Sequence, residues 1–215
     1  MKKNDFLLQY FEKRKSKIIK FFTLLLLAFL IILAINKNIT PKSYIAKVHI
    51  EGIINDRDEL IKKLNDINQN KNIKGLLIIV NSPGGTFVSS KEILDALEKI
   101  SIKIPTSAYM REMATSGAYL ASLGAKKIFA NQGTITGSIG VILQTAQLTS
   151  LMEKIGVKPI IIKSGELKAT PNPLEKLDDE KLKYLKKIIG QLQNQFIGIV
   201  EKKRNLNQNT ILKIS

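Results

Sequence analysis

The hydropathy pattern is dominated by one uncharged run, FFTLLLLAFLIILAI, from Phe21 to Ile35, which follows a basic stretch. Its fifteen residues, extended by Ile18 and Ile19 with Lys20 reaching outward, approach the roughly 20 that a spanning helix needs. Ala34-Ile35-Asn36 is a poor small-x-small cleavage site, so an uncleaved signal anchor is expected rather than a secretory signal peptide. The polar NKNITPK, 36–42, reads as a linker. Beyond it the period changes. Tyr44, Ala46, Val48 and Ile50 alternate as in a strand, 57–67 reads as a helix, and the apolar run 73–80 reads as a buried parallel strand ending at NSPGG. Ile93, Leu94, Leu97 and Ile100 recur at helical spacing, with Ser89 or Ser90 as the N-cap. The scheme repeats: strand 104–110, helix 117–123, strand 126–130, helix 146–155, strand 158–163. A last helix, about 178–203, carries Leu182, Leu185, Ile188, Leu192, Phe196 and Ile199 on one stripe. This alternation predicts one α/β domain over 43–215 with a largely parallel sheet, whose sites lie in loops at the carboxyl ends of strands.

Charge adds an orientation. The first twenty residues hold seven Lys/Arg against Asp5 and Glu12, and few basic residues follow the apolar run closely. That asymmetry puts the N-terminus in the cytoplasm and the domain outside it. The whole chain carries +16; without its first twenty residues it keeps 27 basic against 16 acidic residues, or +11. The excess is spread as lysine, with no Arg cluster and no interleaved aromatic platform, which argues against nucleic acid as the partner. A solvated basic surface with some attraction to anionic lipid is the expectation. No cysteine is present, so nothing in the chain reports the redox compartment.

Three loops could carry chemistry. NSPGG, 81–85, joins a buried strand to a helix, where glycine backbone N–H groups can hold an anion; a plain tight turn is the alternative. In EMATSGAYLAS, Ser116 stands after the next strand with Gly117 beside it, either as a nucleophile or as a helix N-cap. A nucleophilic serine needs a base. The single histidine, His49, shares a strand face with Lys47 and Glu51, which gives a Ser-His-Asp triad little support. A lysine serves instead where burial lowers its pKa from about 10.4, and Lys168 in SGELKAT is the best placed, with Lys163 competing. No ligand cluster with metal spacing exists, so no metal and no cofactor is expected.

VNSPGG, EMATSGAYLAS, GTITGSIGV and SGELKA, in this order behind an N-terminal anchor, resemble the bacterial signal peptide peptidase A family in its short, membrane-anchored form (peptidase family S49). The resemblance covers about 43–204 and implies a crotonase/Clp protease-like fold of repeated β-β-α units. By similarity, Ser116 is the nucleophile and Lys168 its general base. Ser138 orients the lysine, while Gly117 and a glycine of SPGG, Gly85 ahead of Gly84, form the oxyanion hole. It also implies a ring-like homo-oligomer in the bacterial cytoplasmic membrane, with the catalytic domain on the periplasmic side. The serine of one protomer would then meet the lysine of its neighbour, and the substrates would be remnant signal peptides and other hydrophobic peptides. Family members usually continue into a glycine-rich DGR…TG segment and a further helix, so the resemblance implies a domain shortened at its C-terminus. The rival readings are a paralogous inner-membrane peptidase of the same fold, an inactive scaffold, and an acyl-CoA-handling crotonase, the last disfavoured by the anchor and the Ser/Lys pair.

Overall fold

A computed structural model of the chain describes residues 2–37 and 43–214, with side chains over 14–33 and 43–214. Two compact units divide after Tyr44. The first is one helix, α1 (Lys2–Lys37). Its window Arg14–Leu33 spans 20 residues at a mean hydropathy of 2.3, long and apolar enough to cross a membrane, with every side chain of the window exposed. Most of the expected linker, 38–42, lies outside the described residues.

The second unit runs β1 (Tyr44–Ile54), α2 (Asp58–Gln69), β2 (Ile73–Gly85), α3 (Phe87–Lys103), β3 (Thr106–Thr115), α4 (Gly117–Ser122), β4 (Lys127–Ala130), β5 (Ile135–Gly137), α5 (Thr149–Lys154), α6 (Asp179–Arg204) and α7 (Gln208–Lys213). The sheet order is β1-β2-β3-β4, and β5 also pairs with β3. Three of these pairings are parallel: β2 with β3, β3 with β4, and β3 with β5. β4 covers β3 along Ser107–Met110 and β5 along Met113–Thr115, so one edge of β3 is completed by two short strands in succession. The Ile45 side chain lies beside Gly75 and Ile54 beside Gly85, so β1 runs the same way as β2. The alternation read from the sequence is thus the fold: a mostly parallel sheet with interleaved helices.

Two apolar clusters hold it. Val48, Ile50, Ile78, Val80, Ala108 and Met110 from the strands meet Leu64 of α2 and Ile93, Leu97 and Ile100 of α3. Leu94 on the neighbouring face of α3, with Leu120 and Leu123, packs against Phe196, Ile197 and Val200 of α6 and Ile211 of α7. Helices α3 and α4 therefore contribute to both clusters, and α6 forms a further layer over them. Gly198 in α6 is exposed, and a Cβ there would meet nothing within 4 Å. Gly198→Ala should therefore raise stability by about 0.5–1 kcal/mol, read as a higher melting temperature, because it removes the entropic penalty of a mid-helix glycine.

Some sequence expectations are corrected. Residues 158–163 form no strand: Ile160 and Ile162 are 87% and 95% exposed, and an extended segment without a hydrogen-bonding neighbour is not a ladder. The helix expected over 146–155 is only α5, which buries no residue. The cap of α3 is Thr86, whose hydroxyl accepts from Ser89 N at 3.3 Å; Ser89 and Ser90 lie buried in the first turn. Strands β2 and β3 run beyond the expected ends at residues 80 and 110, into the glycine and serine motifs themselves.

Candidate active site

The extensions of β2 and β3 bring NSPGG and ATSG side by side. Their register shifts between Val80↔Met110 and Ser82↔Ala114, which leaves β3 with extra residues to accommodate. Asn81 bridges the gap: its Oδ1 accepts from Met113 N at 3.2 Å and its Nδ2 donates to Glu112 at 3.0 Å. The Thr115 hydroxyl donates to Pro83 O at 3.0 Å. The two motifs are thus tied together just before the serine.

Ser116 has φ 50° and ψ −121°, a conformation that costs a non-glycine residue about 1–3 kcal/mol. Its N–H donates to Gly137 O at 2.8 Å and its carbonyl accepts from Leu120 N at 2.9 Å, which hold the turn. Ser116 occupies the N-cap position of α4, yet its hydroxyl makes no capping bond. Capping therefore does not account for the serine.

The glycines are required by backbone contact. Gly84, at φ 102°, would with a Cβ come within 2.8 Å of Gly117 N and Thr115 O. A Cβ on Gly117 would overlap the Ser90 hydroxyl and stand 3.1 Å from Gly85 N, so the N–H groups of Gly85 and Gly117 are neighbours. A Cβ on Gly85 would overlap the carbonyl of Ile54. The Gly84 N–H is already engaged by Ser82 Oγ at 3.1 Å, and Ser82 Oγ donates in turn to Gly52 O. Of the two SPGG glycines, Gly85 is therefore the better placed donor for a ligand.

Ser116, Gly85 and Gly117 line one cavity of about 240 Å³ with Phe87, Leu120, Val141, Ile142, Leu192 and Phe196, and no charged side chain lines it. Tyr119, on α4, is partly buried, and that burial pushes its phenol above the ordinary tyrosine range. Lys168 is not part of this cavity. It is exposed, its N–H donating to Gly165 O at 3.1 Å, with Ala169 beyond it at φ 61°. Ser138, at φ 51°, is exposed next to Gly137, the residue whose carbonyl holds Ser116 N. Within one chain the structure unites the serine with the glycines but does not bring the lysine to them. Lys163 is committed elsewhere: its Nζ lies 3.0 Å from the Glu175 carboxylate and 2.9 Å from Glu166 O, the Lys163 and Glu175 side chains both being mostly buried. His49 is exposed on β1, 3.1 Å from Glu51, and does not line the cavity. Sequence reasoning assigned no role to Asn81 or Gly137, although both lie inside quoted motifs: Asn81 opens NSPGG, and Gly137 stands beside Ser138 in GTITGSIGV.

The model for peptidase family S49 matches residues 98–215, and that for Clp protease matches 45–149. A protein of Enterococcus faecium with the provisional name signal peptide peptidase SppA is 34% identical over 185 residues, covering 80% of this chain and 54% of its own length. Protease 4 of Haemophilus influenzae is 31% identical over 183 residues, covering 80% of this chain and 29% of its own. The chain thus spans about half or less of the length of these relatives. Among solved structures, a point mutant of ClpP1 from Listeria monocytogenes superposes with a TM-score of 0.52 at 16% identity, over 78% of this chain and 77% of its own. That likeness shows a Clp protease-like fold.

Proposed function

Since the chain belongs to peptidase family S49, we propose that it is a membrane-anchored serine endopeptidase working through a Ser116/Lys168 dyad. One observation carries the reading. A serine in a strained turn, with no capping role, stands beside two adjacent glycine N–H groups at the mouth of an apolar cavity. Strain of this kind persists only where the surroundings over-determine it, and it gathers at functional sites.

In this mechanism Ser116 Oγ attacks the peptide carbonyl while its proton passes to the neutral Lys168 amine. The charge that develops on the carbonyl oxygen falls on the N–H groups of Gly85 and Gly117. The C–N bond then breaks as the lysine returns the proton to the leaving amine, and water, deprotonated by the same lysine, releases the acyl group. Ser138 orients the lysine by a hydrogen bond. The uncharged cavity of about 240 Å³ suits an apolar substrate side chain, which favours hydrophobic peptides such as signal peptide remnants. The seven basic residues before the uncharged run Phe21–Ile35 of α1 favour a cytoplasmic N-terminus and a catalytic domain on the periplasmic side of a bacterial cytoplasmic membrane.

Because Lys168 lies outside the cavity of its own chain, a neighbouring protomer would deliver it. The exposed apolar side chains Ile142, Leu148, Leu151, Ile155, Ile160 and Ile162, gathered on the segment that also carries Lys168, favour such a homo-oligomer. The test is labelling of the detergent-solubilised full chain by a fluorophosphonate, which reacts only with an activated serine. Labelling should be strong in the wild type and absent in Ser116→Ala and in Lys168→Ala. An assembled wild-type protein that takes no label would instead be a scaffold.

A further inference from the structure

The amino ends of the parallel strands form a face opposite to the cavity of Ser116. Lys74 is the second residue of β2, Lys126 and Lys127 stand just before and at the start of β4, Lys71 precedes β2, and Lys103 ends α3 just ahead of β3. All five are exposed, and among the described residues none is paired with a carboxylate. The stretches 67–76, 99–107 and 123–130 that build this face contain no Asp or Glu. Between Lys71, Lys74 and Lys103 opens a groove of about 740 Å³, floored by Ile67, Ile73, Ile100, Ile104 and Pro105. Ile102 stands 81% exposed on the last turn of α3 at the same end.

An apolar floor under a basic rim complements an anionic amphiphile, with phosphate against the ammonium groups and acyl carbon against the isoleucines. A nucleic acid would leave the floor uncovered. β1 starts at this end too, and six residues, the number that separates Lys37 of α1 from Tyr44 of β1, span at most about 22 Å. We propose that this face docks on the anionic headgroups of the bilayer that holds α1, an inference that rests on the membrane anchoring proposed above. Lysines at such a surface each contribute roughly fivefold to binding, so five of them without acidic neighbours bias the orientation of the domain strongly. With this face on the headgroups, the ten residues of β3 place Ser116 about 30 Å from them. A peptide must then have left the bilayer before it is cut.

The absence of cysteine makes the test clean. The full chain carrying Ile102→Cys, or Gln132→Cys at the opposite end of the sheet, is labelled with a fluorophore. It is then reconstituted into vesicles of phosphatidylcholine, alone or with phosphatidylglycerol at about one lipid in three, carrying a headgroup-attached quencher. Quenching at position 102 should be at least about twofold stronger with the anionic lipid, and position 132 should be indifferent to lipid charge. The triple variant Lys71→Glu, Lys74→Glu, Lys103→Glu, checked for native circular dichroism, should lose the difference. Lys126→Gln with Lys127→Gln should lose part of it. Equal quenching at position 102 in both lipids, an undiminished effect in the triple variant, or a lipid-dependent rise at position 132 as large as that at 102 overturns the docking face. Flotation with phosphatidylcholine vesicles alone reports the anchor separately. Failure there overturns the anchoring reading and this inference with it, whereas flotation without the lipid-dependent quenching overturns the docking face only.

Discussion

Alanine at Ser116 is expected to lower kcat/KM for a hydrophobic peptide by at least about 10³-fold, and alanine at Lys168 by a comparable factor. The double variant should be little worse than either single one. The reason is that a nucleophile without its base, or a base without its nucleophile, leaves only binding and the oxyanion donors to act. The same pair distinguishes one-chain from two-chain sites. Lys168 is exposed and absent from the cavity that Ser116 lines. Co-expressed Ser116→Ala and Lys168→Ala chains should therefore regain part of the activity, since some interfaces bring an intact serine to an intact lysine. Confirmed mixed assembly with background activity would sink the shared site. Lys163→Ala is the control. Its Nζ is held by Glu175 at 3.0 Å, so its loss should reduce thermal stability while hydrolysis continues. A Lys163→Ala variant that folds but is inactive, beside an active Lys168→Ala, would exchange the roles of the two lysines.

Gly85→Ala is expected to be the most damaging single methyl group in the domain. The added Cβ would overlap the Ile54 carbonyl and lie 2.7 Å from Ile54 Cα, and these are backbone atoms at the end of β1 with no rotamer to give way. Relief requires the ends of β1 and β2 to part, which breaks the 3.0 Å bond from Thr86 N to Ile54 O and moves the Gly85 N–H away from Gly117. Overpacking of this kind costs about 1–3 kcal/mol and more where only backbone can move. For a domain of this size, that is a fall of several degrees in melting temperature. Activity should fall further than the lost folded fraction explains, because one oxyanion donor alone is worth about 10²–10³ in kcat. Gly133→Ala, where a Cβ would meet nothing within 4 Å, should change neither. Equal melting curves and equal activity for the two variants would show that the SPGG turn is not packed as described.

What the sequence determined by itself was everything that depends on local periodicity and on short motifs. The uncharged Phe21–Ile35 run makes a helix because its residues are apolar all round, and α1 continues through it. Val48 and Ile50 alternate inward, and Ile93, Leu94, Leu97 and Ile100 fall on buried helical positions, because a strand repeats every two residues and a helix every 3.6. The parallel sheet follows from the alternation of these elements, and NSPGG and TSG mark their junctions. Tertiary structure decided what depends on partners distant in the chain. Residues 158–163 have strand-like composition but find no edge to pair with, so pattern without a hydrogen-bonding neighbour misled. The strained turn at Ser116 is tied to Gly137 O, twenty-one residues later, and Gly84 meets Gly117 across a register shift that Asn81 bridges. The sequence favours Lys168 over Lys163 through its place in SGELKAT, but periodicity alone does not separate them, since each is a lysine near the end of the same apolar run. Only the fold gives Lys163 a mostly buried carboxylate, because Glu175 returns to it across a turn, and leaves Lys168 exposed on the surface.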